Sequence, residues 1–392
     1  MQTDRVLSAA FILAWFAALF EGMSWALFVH FPGYLQELGA SEVMIGIIVG
    51  TWALSSVLIR PWVGKASDTR GRRPLIIAGN IINVTSLGLY LTVSALGPWV
   101  FIVRLIHGLG VGILFPSLFT YAADVVPPAR RTEGLALFGV SGLLPIALGG
   151  LIGDMILRAA GFTELFLAAT GFALVALVLS LPLAETAPRG LADSEHRLGF
   201  FGAVKEPSLG PVWLVTGVFS VVLIAYFVFL KTFIVETGIG TVGLFFGFYA
   251  LTAILLRLFF GWLPDRVGMR RVLYPAMASL ALGFVVLALA RSASSVAAAG
   301  VLSGVGHGFG FPILMALVVT RAPMADRGSA VAVFTAEFDV GLLVGGPLLG
   351  LVIAWLGYPA MFLTCSALTI AGAAAFSWWD GVVRSREVVV QS

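Results

Sequence analysis

Residues 60–73 read RPWVGKASDTRGRR, and residues 257–271 read RLFFGWLPDRVGMRR. Both segments carry the same spaced pattern of Arg, Gly, Asp, Gly and Arg. It falls on Arg60, Gly64, Asp68, Gly71 and Arg73 in the first segment, and on Arg257, Gly261, Asp265, Gly268 and Arg270, 197 residues later, in the second. Each segment lies between two apolar stretches of about 20 residues. A charged, glycine-containing connection at the same point of two hydrophobic halves indicates a duplicated membrane protein.

The composition excludes an ordinary water-soluble domain. The chain is 59% apolar and 11% charged, with a mean hydropathy of +1.03, whereas soluble domains are about 25% charged. The basic residues are scattered in short clusters between apolar runs, which excludes a nucleic-acid-binding surface. A single cysteine, Cys365, excludes an intramolecular disulfide and a thiolate metal cluster. No Walker-type phosphate loop is present, so we expect no cofactor and no direct use of ATP.

Twelve stretches are long enough to cross the hydrocarbon core, which needs about 20 apolar residues. They lie near 7–30, 42–62, 74–96, 99–122, 133–157, 162–184, 211–235, 242–263, 272–290, 296–319, 329–355 and 359–379. The longest polar stretch, 185–210, falls where a linker between two six-helix halves would fall. We therefore predict an N-terminal six-helix bundle at 1–184, a cytoplasmic linker at 185–210 and a C-terminal six-helix bundle at 211–392.

The distribution of Lys and Arg predicts the orientation in the membrane. If the N-terminus is cytoplasmic, 17 of the 23 basic residues lie on the cytoplasmic side. These are Arg5, Lys65, Arg70, Arg72, Arg73, Arg130, Arg131, Arg189, Arg197, Lys205, Arg266, Arg270, Arg271, Arg321, Arg327, Arg384 and Arg386. Only Arg158 and Arg291 lie on the opposite side. The bias predicts that both termini are cytoplasmic.

The repeat continues into the spans that follow the two hinges. Residues 112–116, GILFP, align with residues 308–312, GFGFP, and Arg131 then aligns with Arg327. The second to fifth spans therefore match the eighth to eleventh.

Together these segments resemble the major facilitator superfamily over nearly the whole chain. The hinges are similar to that family's loop between helices 2 and 3 and its copy between helices 8 and 9. Residues 104–112, RLIHGLGVG, resemble the helix 4 motif of proton-linked members, and Asp339 with GLLVGGPLLG at 341–350 resembles helix 11 of many bacterial efflux-type members. The resemblance implies an all-α membrane protein with two pseudo-symmetric six-helix bundles. They would face a central cavity and rock to give alternating access.

The hinges also predict a cytoplasmic gate. Asp68 lies where the end of helix 2 can approach the N-terminus of helix 11 near Gly328, and Asp265 has the same relation to helix 5 near Thr132. A carboxylate at a helix N-terminus gains about 0.3–1 kcal/mol, and arginines can add charge-assisted hydrogen bonds. We expect such contacts to hold the cytoplasmic side shut in one state and to break in the other. The predicted gate residues are Gly64, Asp68, Gly71, Arg72, Arg73, Arg131, Gly261, Asp265, Gly268 and Arg270.

Charged residues inside the spans are candidates for coupling, because a charge at the centre of a span costs about 2.5–3.5 kcal/mol on insertion scales. Glu21 lies midway along the first span, and Arg104 lies in the outer third of the fourth. In the implied fold helices 1, 4, 7 and 10 line the cavity, so both residues could face it and form a proton site. A change in their separation would change the protonation of Glu21, because a nearby cation favours the carboxylate and a dry environment disfavours it.

Further candidates lie in the second half. Glu337 and Asp339 are two residues apart on helix 11 and point about 200° from each other, so at most one readily faces the cavity. The resemblance favours Asp339 and leaves Glu337 to pair with a neighbouring helix. His307 in helix 10, and His107 beside Arg104, could relay protons or simply join helices by hydrogen bonds. Lys231, near the outer end of helix 7, could attract an anionic solute or extend to the membrane interface. The histidines lack ligand partners at metal-site spacing, so we expect no metal site.

The sequence therefore predicts a proton-coupled transporter of the inner (plasma) membrane that exports a small amphipathic organic compound. Glu21, Arg104, Asp339, His307 and Lys231 are its coupling and cavity residues. Its partners are the solute, protons and the lipid bilayer, and a chain that encloses its own cavity predicts a monomer. No nucleophile and base are placed together, so we expect no enzyme activity.

Two alternatives stay open. Residues 144–150, LPIALGG, lack the glycine before proline that helix 5 of antiporters usually carries. This departure weakens the antiporter assignment and leaves open the uptake of an anionic nutrient, drawn to Arg104 and Lys231, by a proton symporter or a facilitator. The second alternative is a membrane sensor that no longer transports, and the presence of both hinges argues against this hypothesis.

Overall fold

The computed structural model describes residues 6–187 and 198–391, and this part of the chain is helical without strands. Within it, eleven helical segments are long and apolar enough to cross a membrane. The first ten are α1 (Ala9–Glu37), α2 (Met44–Arg70), α3 (Arg72–Thr92), α4 (Pro98–Val125), α5 (Pro128–Ala159), α6 (Phe162–Ser180), α7 (Gly210–Thr237), α8 (Val242–Phe260), α9 (Met269–Ala288) and α10 (Ala293–Arg321).

The eleventh segment, Met324–Val383, contains two spans. Its helix, Arg327–Gln391, leaves helical geometry at Gly357, where φ is +80° and ψ is 174°. Glycine adopts this φ without steric cost, and Pro359 begins the next helix without needing an N–H partner. Residues 327–356 are α11, and residues 358–391 are α12. The predicted all-helical membrane fold is therefore confirmed.

Short helices also occur outside the spans, at Gly199–Lys205 and Leu263–Val267. Residues 188–197 of the predicted linker lie outside the described residues, and so does Arg5, which contributed to the predicted orientation. The domain boundaries at 184 and 211 stay a prediction.

Contacts divide the chain into two compact units. The first comprises Met1–Pro128, Phe138–Phe200 and Met324–Val333, and the second comprises Ala129–Leu137, Phe201–Pro323 and Phe334–Ser392. The start of α11 thus packs in the first unit, and the start of α5 packs in the second. Each unit therefore includes the first turns of one helix that chain order alone would assign to the other half.

Hydroxyl side chains cap the N-termini of several helices. Ser8, Ser41 and Thr241 each accept a hydrogen bond from the backbone N–H three residues later. This bond satisfies one of the N–H groups that a helix start leaves without an intrahelical partner. Glycines then set how closely the spans pack, as small residues commonly do in membranes.

In the first unit, the glycine that lies closest to a neighbouring helix is Gly108 of α4. A Cβ at this position would lie 2.1 Å from both the Trp52 carbonyl oxygen and the Ser55 hydroxyl oxygen of α2. The neighbouring atom at Trp52 is backbone and cannot rotate away. Gly108 is therefore required by the contact between α2 and α4.

We predict that Gly108→Ala lowers the free energy of unfolding by about 1–3 kcal/mol, because α4 must move away from α2. The matched control is Gly88→Ala in α3, where an added Cβ would meet no atom within 4 Å. Thermal unfolding of the purified protein in detergent measures both. Equal stability of the two variants would contradict the packing described for Gly108.

Candidate functional site

The Asp68 carboxylate accepts three hydrogen bonds at the start of α11. One oxygen accepts from the Gly328 N–H at 2.7 Å, and the other accepts from the Ser329 N–H at 2.9 Å and the Ser329 hydroxyl at 2.7 Å. Asp68 is buried at the end of α2, and all three residues belong to the first unit. The carboxylate thus satisfies two of the N–H groups that the start of α11 leaves unpaired. It lies where the sequence placed it.

Two arginines and a second acid surround this contact. Arg72 Nη1 lies 4.0 Å from Asp68, and Arg72 Nε donates to the Asp124 carboxylate at 2.8 Å. The other Asp124 oxygen accepts from Arg327 at 2.6 Å. Arg72 is 1% exposed, so its charge requires buried acid partners. The alternation of acids and arginines meets this requirement within the first unit.

The Glu185 carboxylate caps the N-terminus of α3. The Arg72 and Arg73 N–H groups donate to its two oxygens at 2.9 Å and 3.1 Å. Gly71, just before them, has φ +100°, and a Cβ there would lie 2.3 Å from a Glu185 oxygen. Gly71 is required by both the backbone conformation and the carboxylate. The Arg73 side chain donates to the Leu181 carbonyl at 3.0 Å.

Asp265 repeats the Asp68 arrangement in the second unit. Its oxygens accept from the Thr132 N–H at 3.2 Å and the Glu133 N–H at 2.9 Å, at the start of α5. Burial raises the pKa of the Asp265 carboxyl, and the hydrogen bonds from these two residues act against that rise. Gly268 follows with φ +102°, as Gly71 follows Asp68, but a Cβ there would meet nothing within 4 Å.

The charges around Asp265 differ from those around Asp68. Thr320 stands 196 residues after Asp124, at the offset of the repeat, and it accepts a hydrogen bond from Arg131 at 3.4 Å. A different acid, Asp380 of α12, forms ion pairs with Arg270 and Arg321. Asp380 is fully buried. The second unit thus balances its arginines with an acid from another helix.

The two repeated glycines before the acids also differ. A Cβ at Gly64 would lie 2.9 Å from Ser329 Cα and 3.2 Å from Ala332 Cβ, so α2 and the start of α11 are in close contact. A Cβ at Gly261 would lie 2.5 Å from the Arg257 carbonyl oxygen one turn earlier, but the nearest atom of another helix is Ala136 Cβ at 3.4 Å, an ordinary contact. Contact with a second helix therefore requires glycine at position 64 and not at position 261.

Glu21 is buried in α1, with 8% of its surface exposed. Its backbone carbonyl accepts from the Ser24 hydroxyl at 2.6 Å. Its carboxylate forms no hydrogen bond or ion pair with another described residue. The sequence suggests a proton site formed by Glu21 and Arg104. The structure shows no hydrogen bond or ion pair between these two side chains.

Arg104 is buried and bonds to neighbouring helices instead. It donates to the Ile48 and Val49 carbonyls of α2 at 3.3 Å and 2.9 Å, and to the Tyr90 hydroxyl at 3.4 Å. Its guanidinium also lies 5.1 Å from the centre of the Phe31 ring, a cation–π distance. These partners occupy the guanidinium and join α4 to α2 and α3.

Both intramembrane histidines bond to a tyrosine of a neighbouring helix. His107 Nδ1 lies 3.3 Å from the Tyr90 hydroxyl in the first unit. His307 Nδ1 lies 2.6 Å from the Tyr249 hydroxyl in the second. Arg257 donates to the His307 carbonyl at 3.2 Å. An arginine, a tyrosine and a histidine therefore occur together in each unit.

The remaining candidates all belong to the second unit. Glu337 and Asp339 of α11 are both half-buried, and Lys231 of α7 is exposed. Glu337 Oε2 is buried and has no hydrogen-bond partner among the described residues, so the expected pairing of Glu337 with a neighbouring helix does not satisfy this atom. Lys231 makes no ion pair within the described ranges.

Several residues of these networks were not singled out from the sequence. They are Glu185, Asp124, Asp380, Tyr90 and Tyr249. An acid at the end of a span close to arginines is a usable signal for Asp124 and Asp380, whereas Glu185 falls in the polar stretch after α6. Within the described residues no group of three His, Cys, Asp or Glu side chains could hold a metal ion.

Comparison with known proteins places this geometry in a family. A family model described as Major Facilitator Superfamily matches residues 10–293 and 236–390. An uncharacterized MFS-type transporter of Salmonella typhimurium, STM4428, is 26% identical over 363 residues, which cover 88% of this chain and 90% of the relative. The staphylopine export protein of Staphylococcus aureus is 24% identical over 361 residues, which cover 87% and 88%.

Solved structures share the fold. The crystal structure of the human organic anion transporter MFSD10 (TETRAN) matches with a TM-score of 0.83 and 18% identity, over 95% of this chain and 99% of that one. A major facilitator transporter, FucP, in the outward conformation matches with a TM-score of 0.79 and 14% identity, over 96% and 99%. At these identities the likeness shows the fold alone.

We predict that Gly71→Ala is more destabilising than Gly268→Ala. Both substitutions place a side chain at a φ near +100° with an extended ψ, a backbone conformation that costs a residue with a Cβ about 1–3 kcal/mol. Only Gly71→Ala also displaces Glu185 from the start of α3, which adds about 1–3 kcal/mol because two N–H groups lose their acceptor. Unfolding in detergent measures the difference, and equal losses in the two variants would show that Glu185 does not support α3.

Proposed function

Because the chain belongs to the Major Facilitator Superfamily, whose members carry small-molecule solutes, we propose that it is a secondary active transporter that exports a small amphipathic organic compound in exchange for protons. It is a multi-pass membrane protein with the fold of transporters rather than enzymes. We place it in the inner (plasma) membrane as a monomer with both termini cytoplasmic.

The observation that supports proton coupling is the isolation of Glu21. Its side chain is buried in a membrane span and has no cation or hydrogen-bond donor among the described residues. An intramembrane acid without a partner is a functional-site candidate by default. Binding a proton is the simplest way to remove its charge while the protein is closed to water. Glu21 is therefore our first candidate for the coupled proton, with Glu337 or Asp339 of α11 as a second.

The contacts of Asp68 and Asp265 support alternating access. Each carboxylate caps a helix whose beginning is distant in sequence, through hydrogen bonds that water can replace. We propose that both contacts form when the cytoplasmic side is closed and break when it opens. The surrounding residues Arg72, Arg131 and Arg270 would then tune the stability of the closed state.

Export is favoured over uptake by one relative, since the similar protein of Staphylococcus aureus is named as an export protein. The second candidate function is uptake of an anionic nutrient. Its support is Lys231, an exposed cation without an ion pair among the described residues, together with the departure at 144–150. Arg104 supports it less, because its donors are already bonded to carbonyl groups.

We predict that Glu21→Gln abolishes transport driven by a pH gradient and leaves solute exchange without a gradient intact. Gln keeps the size of the side chain and cannot bind the proton. The probes are the amphipathic cation ethidium and the amphipathic anion taurocholate, in vesicles of purified protein. The matched control is Glu37→Gln at the exposed end of the same helix, which should retain wild-type transport.

Each outcome of this assay separates the candidate functions. Gradient-driven ethidium transport that is lost in Glu21→Gln alone supports the proposal. Gradient-driven transport that survives in Glu21→Gln removes Glu21 as the proton carrier. Movement of taurocholate towards the side of lower anion concentration without any dependence on pH favours the anion facilitator. If wild type moves neither probe, export of amphipathic compounds is contradicted.

We also predict that Asp68→Asn opens the region around the start of α11. Ala332 is fully buried there, so an Ala332→Cys substitution in a Cys365→Ser background reports opening through its reaction with N-ethylmaleimide. Loss of the carboxylate charge weakens the cap of α11, and we expect labelling to become about fivefold faster, the effect of about 1 kcal/mol on an opening equilibrium. Asp154→Asn, an exposed acid of α5, serves as the control. Equal labelling rates in the two variants would remove Asp68 from the gate.

A further inference from the structure

One face of α1 carries Glu21, Ser24 and Phe28, which are three and four residues apart and so lie above one another. The Ser24 hydroxyl accepts from Asn83 Nδ2 of α3 at 3.4 Å. The Phe28 ring lies 5.0 Å, centre to centre, from the ring of His107 of α4. Asn83 therefore contacts α1 one turn beyond Glu21, and His107 contacts α1 two turns beyond Glu21.

Helices α3 and α4 are close together at the same level. A Cβ at Gly110 of α4 would lie 3.1 Å from the Asn83 backbone nitrogen. His107, one turn before Gly110, bonds to the Tyr90 hydroxyl of α3. Ser86, between Asn83 and Tyr90, donates to the Asn83 carbonyl at 2.8 Å. The facing sides of α1, α3 and α4 therefore form one buried polar region, which we call the α1–α3–α4 polar site.

Three groups of this site lack partners in the described part of the chain. The buried atoms among them are Asn83 Oδ1 and His107 Nε2, and the third group is the Glu21 carboxylate, which forms no hydrogen bond or ion pair with a described residue. Asn83 is fully buried, and His107 is 1% exposed. Buried polar atoms are rarely left unpaired in native proteins, and internal water commonly supplies the missing partner, with about three hydrogen bonds per molecule.

The second unit shows that the fold does not need these polar residues. At the hinge offset of 197, the counterparts of the site residues Asn83, Ser86 and Tyr90 are Leu280, Gly283 and Leu287, and the counterpart of the neighbouring Asn80 is Met277; all four are buried in α9. A Cβ at Gly306 would lie 2.6 Å from Leu280 Cβ, so Gly306 packs against Leu280 as Gly110 packs against Asn83. The same helix packing is thus made with an apolar face.

We propose that the α1–α3–α4 polar site binds internal water and that Glu21 exchanges its proton with that water. This proposal rests on the proposed function, in which Glu21 carries the coupled proton. The Glu21 carboxylic acid releases a proton to a water molecule and becomes a carboxylate, while the water becomes hydronium; the reverse step restores the acid. Asn83 Oδ1 and His107 Nε2 are positioning groups that hold the water beside Glu21.

The other charged and titratable groups of the site fit this assignment. Arg104 and His107 bond to the same Tyr90 hydroxyl, at 3.4 Å and 3.3 Å. Arg104 is a fixed charge beside His107, and we assign His107 a hydrogen-bonding role in the site. Glu21 is then the group of the site that changes charge.

Infrared spectroscopy of the full-length protein in lipid nanodiscs tests the proposal without any solute. The C=O stretch of protonated Glu21 is the band that Glu21→Gln removes, and it shifts when deuterium replaces the proton. After rapid mixing with D₂O, we expect the shift to be at least tenfold slower in Asn83→Leu than in wild type. Asn80→Leu is the matched control, because Asn80 is equally buried in α3 and its Oδ1 also has no partner among the described residues, but its amide bonds to Ser180 of α6 instead of α1; its rate should stay within twofold of wild type.

A pair of substitutions at His107 gives a second test if Asn83→Leu does not fold. The amide of His107→Gln reaches the position of Nε2 and can still hold water, whereas the amide of His107→Asn reaches only the position of Nδ1. We expect slow exchange in His107→Asn and exchange within threefold of wild type in His107→Gln.

The outcomes distinguish failure of this proposal from failure of the proposed function. Equal exchange rates in Asn83→Leu and Asn80→Leu, or in the two His107 variants, would overturn the water site while leaving Glu21 as the proton carrier. Absence of any band that Glu21→Gln removes would overturn it as well. Gradient-driven transport that survives in Glu21→Gln would instead remove Glu21 as the carrier of the coupled proton, whatever the exchange rates.

Discussion

The first turn of a helix leaves backbone N–H groups without an intrahelical acceptor, and this constraint is most severe where the start of the helix is buried in the protein. Within a span each N–H bonds to the carbonyl four residues earlier, but the first turn has no such carbonyl. Carboxylates serve three of these beginnings here: Asp68 at α11, Asp265 at α5 and Glu185 at α3. The acids and the helix starts they serve are 112 to 261 residues apart. The same bonds that satisfy the backbone therefore also fix which segments pack within each unit.

The duplicated hinge gives the same backbone contact in both units but different charge balance. In the first unit Asp124 lies between Arg72 and Arg327. In the second unit the equivalent position is Thr320, and Asp380 of α12 pairs with Arg270 and Arg321 instead. A buried arginine requires an acid wherever the fold can supply one. Since the acids come from different helices, movement of α12 would affect the second network alone, and the two contacts of the proposed gate need not open together.

Local sequence was sufficient to predict the membrane spans and the positions of the hinge acids, because the length of an apolar run and the start of the next helix can both be recognised from neighbouring residues. Partners that depend on helix rotation were not predictable in this way. Arg104 was expected to form a proton site with Glu21, and its bonds to α2 carbonyls and to Tyr90 were not foreseen, because spacing along α4 does not say which neighbour its face meets. Glu185 was missed for a related reason: it is an ordinary acid of a polar stretch until packing brings it to the start of α3.

Duplication makes it possible to separate residues that the fold needs from residues kept for chemistry. Positions filled alike in both halves, such as the buried Arg60 and Arg257 or the hinge acids, solve a problem that both units share. The buried face of α3 is different, because α9 makes the same packing with Leu280 and its neighbours. Buried amides and hydroxyls cost free energy unless every atom is paired, and Asn83 is not fully paired. A polar face that the fold could have made apolar, placed one turn from an isolated acid, is better explained by proton transfer than by stability.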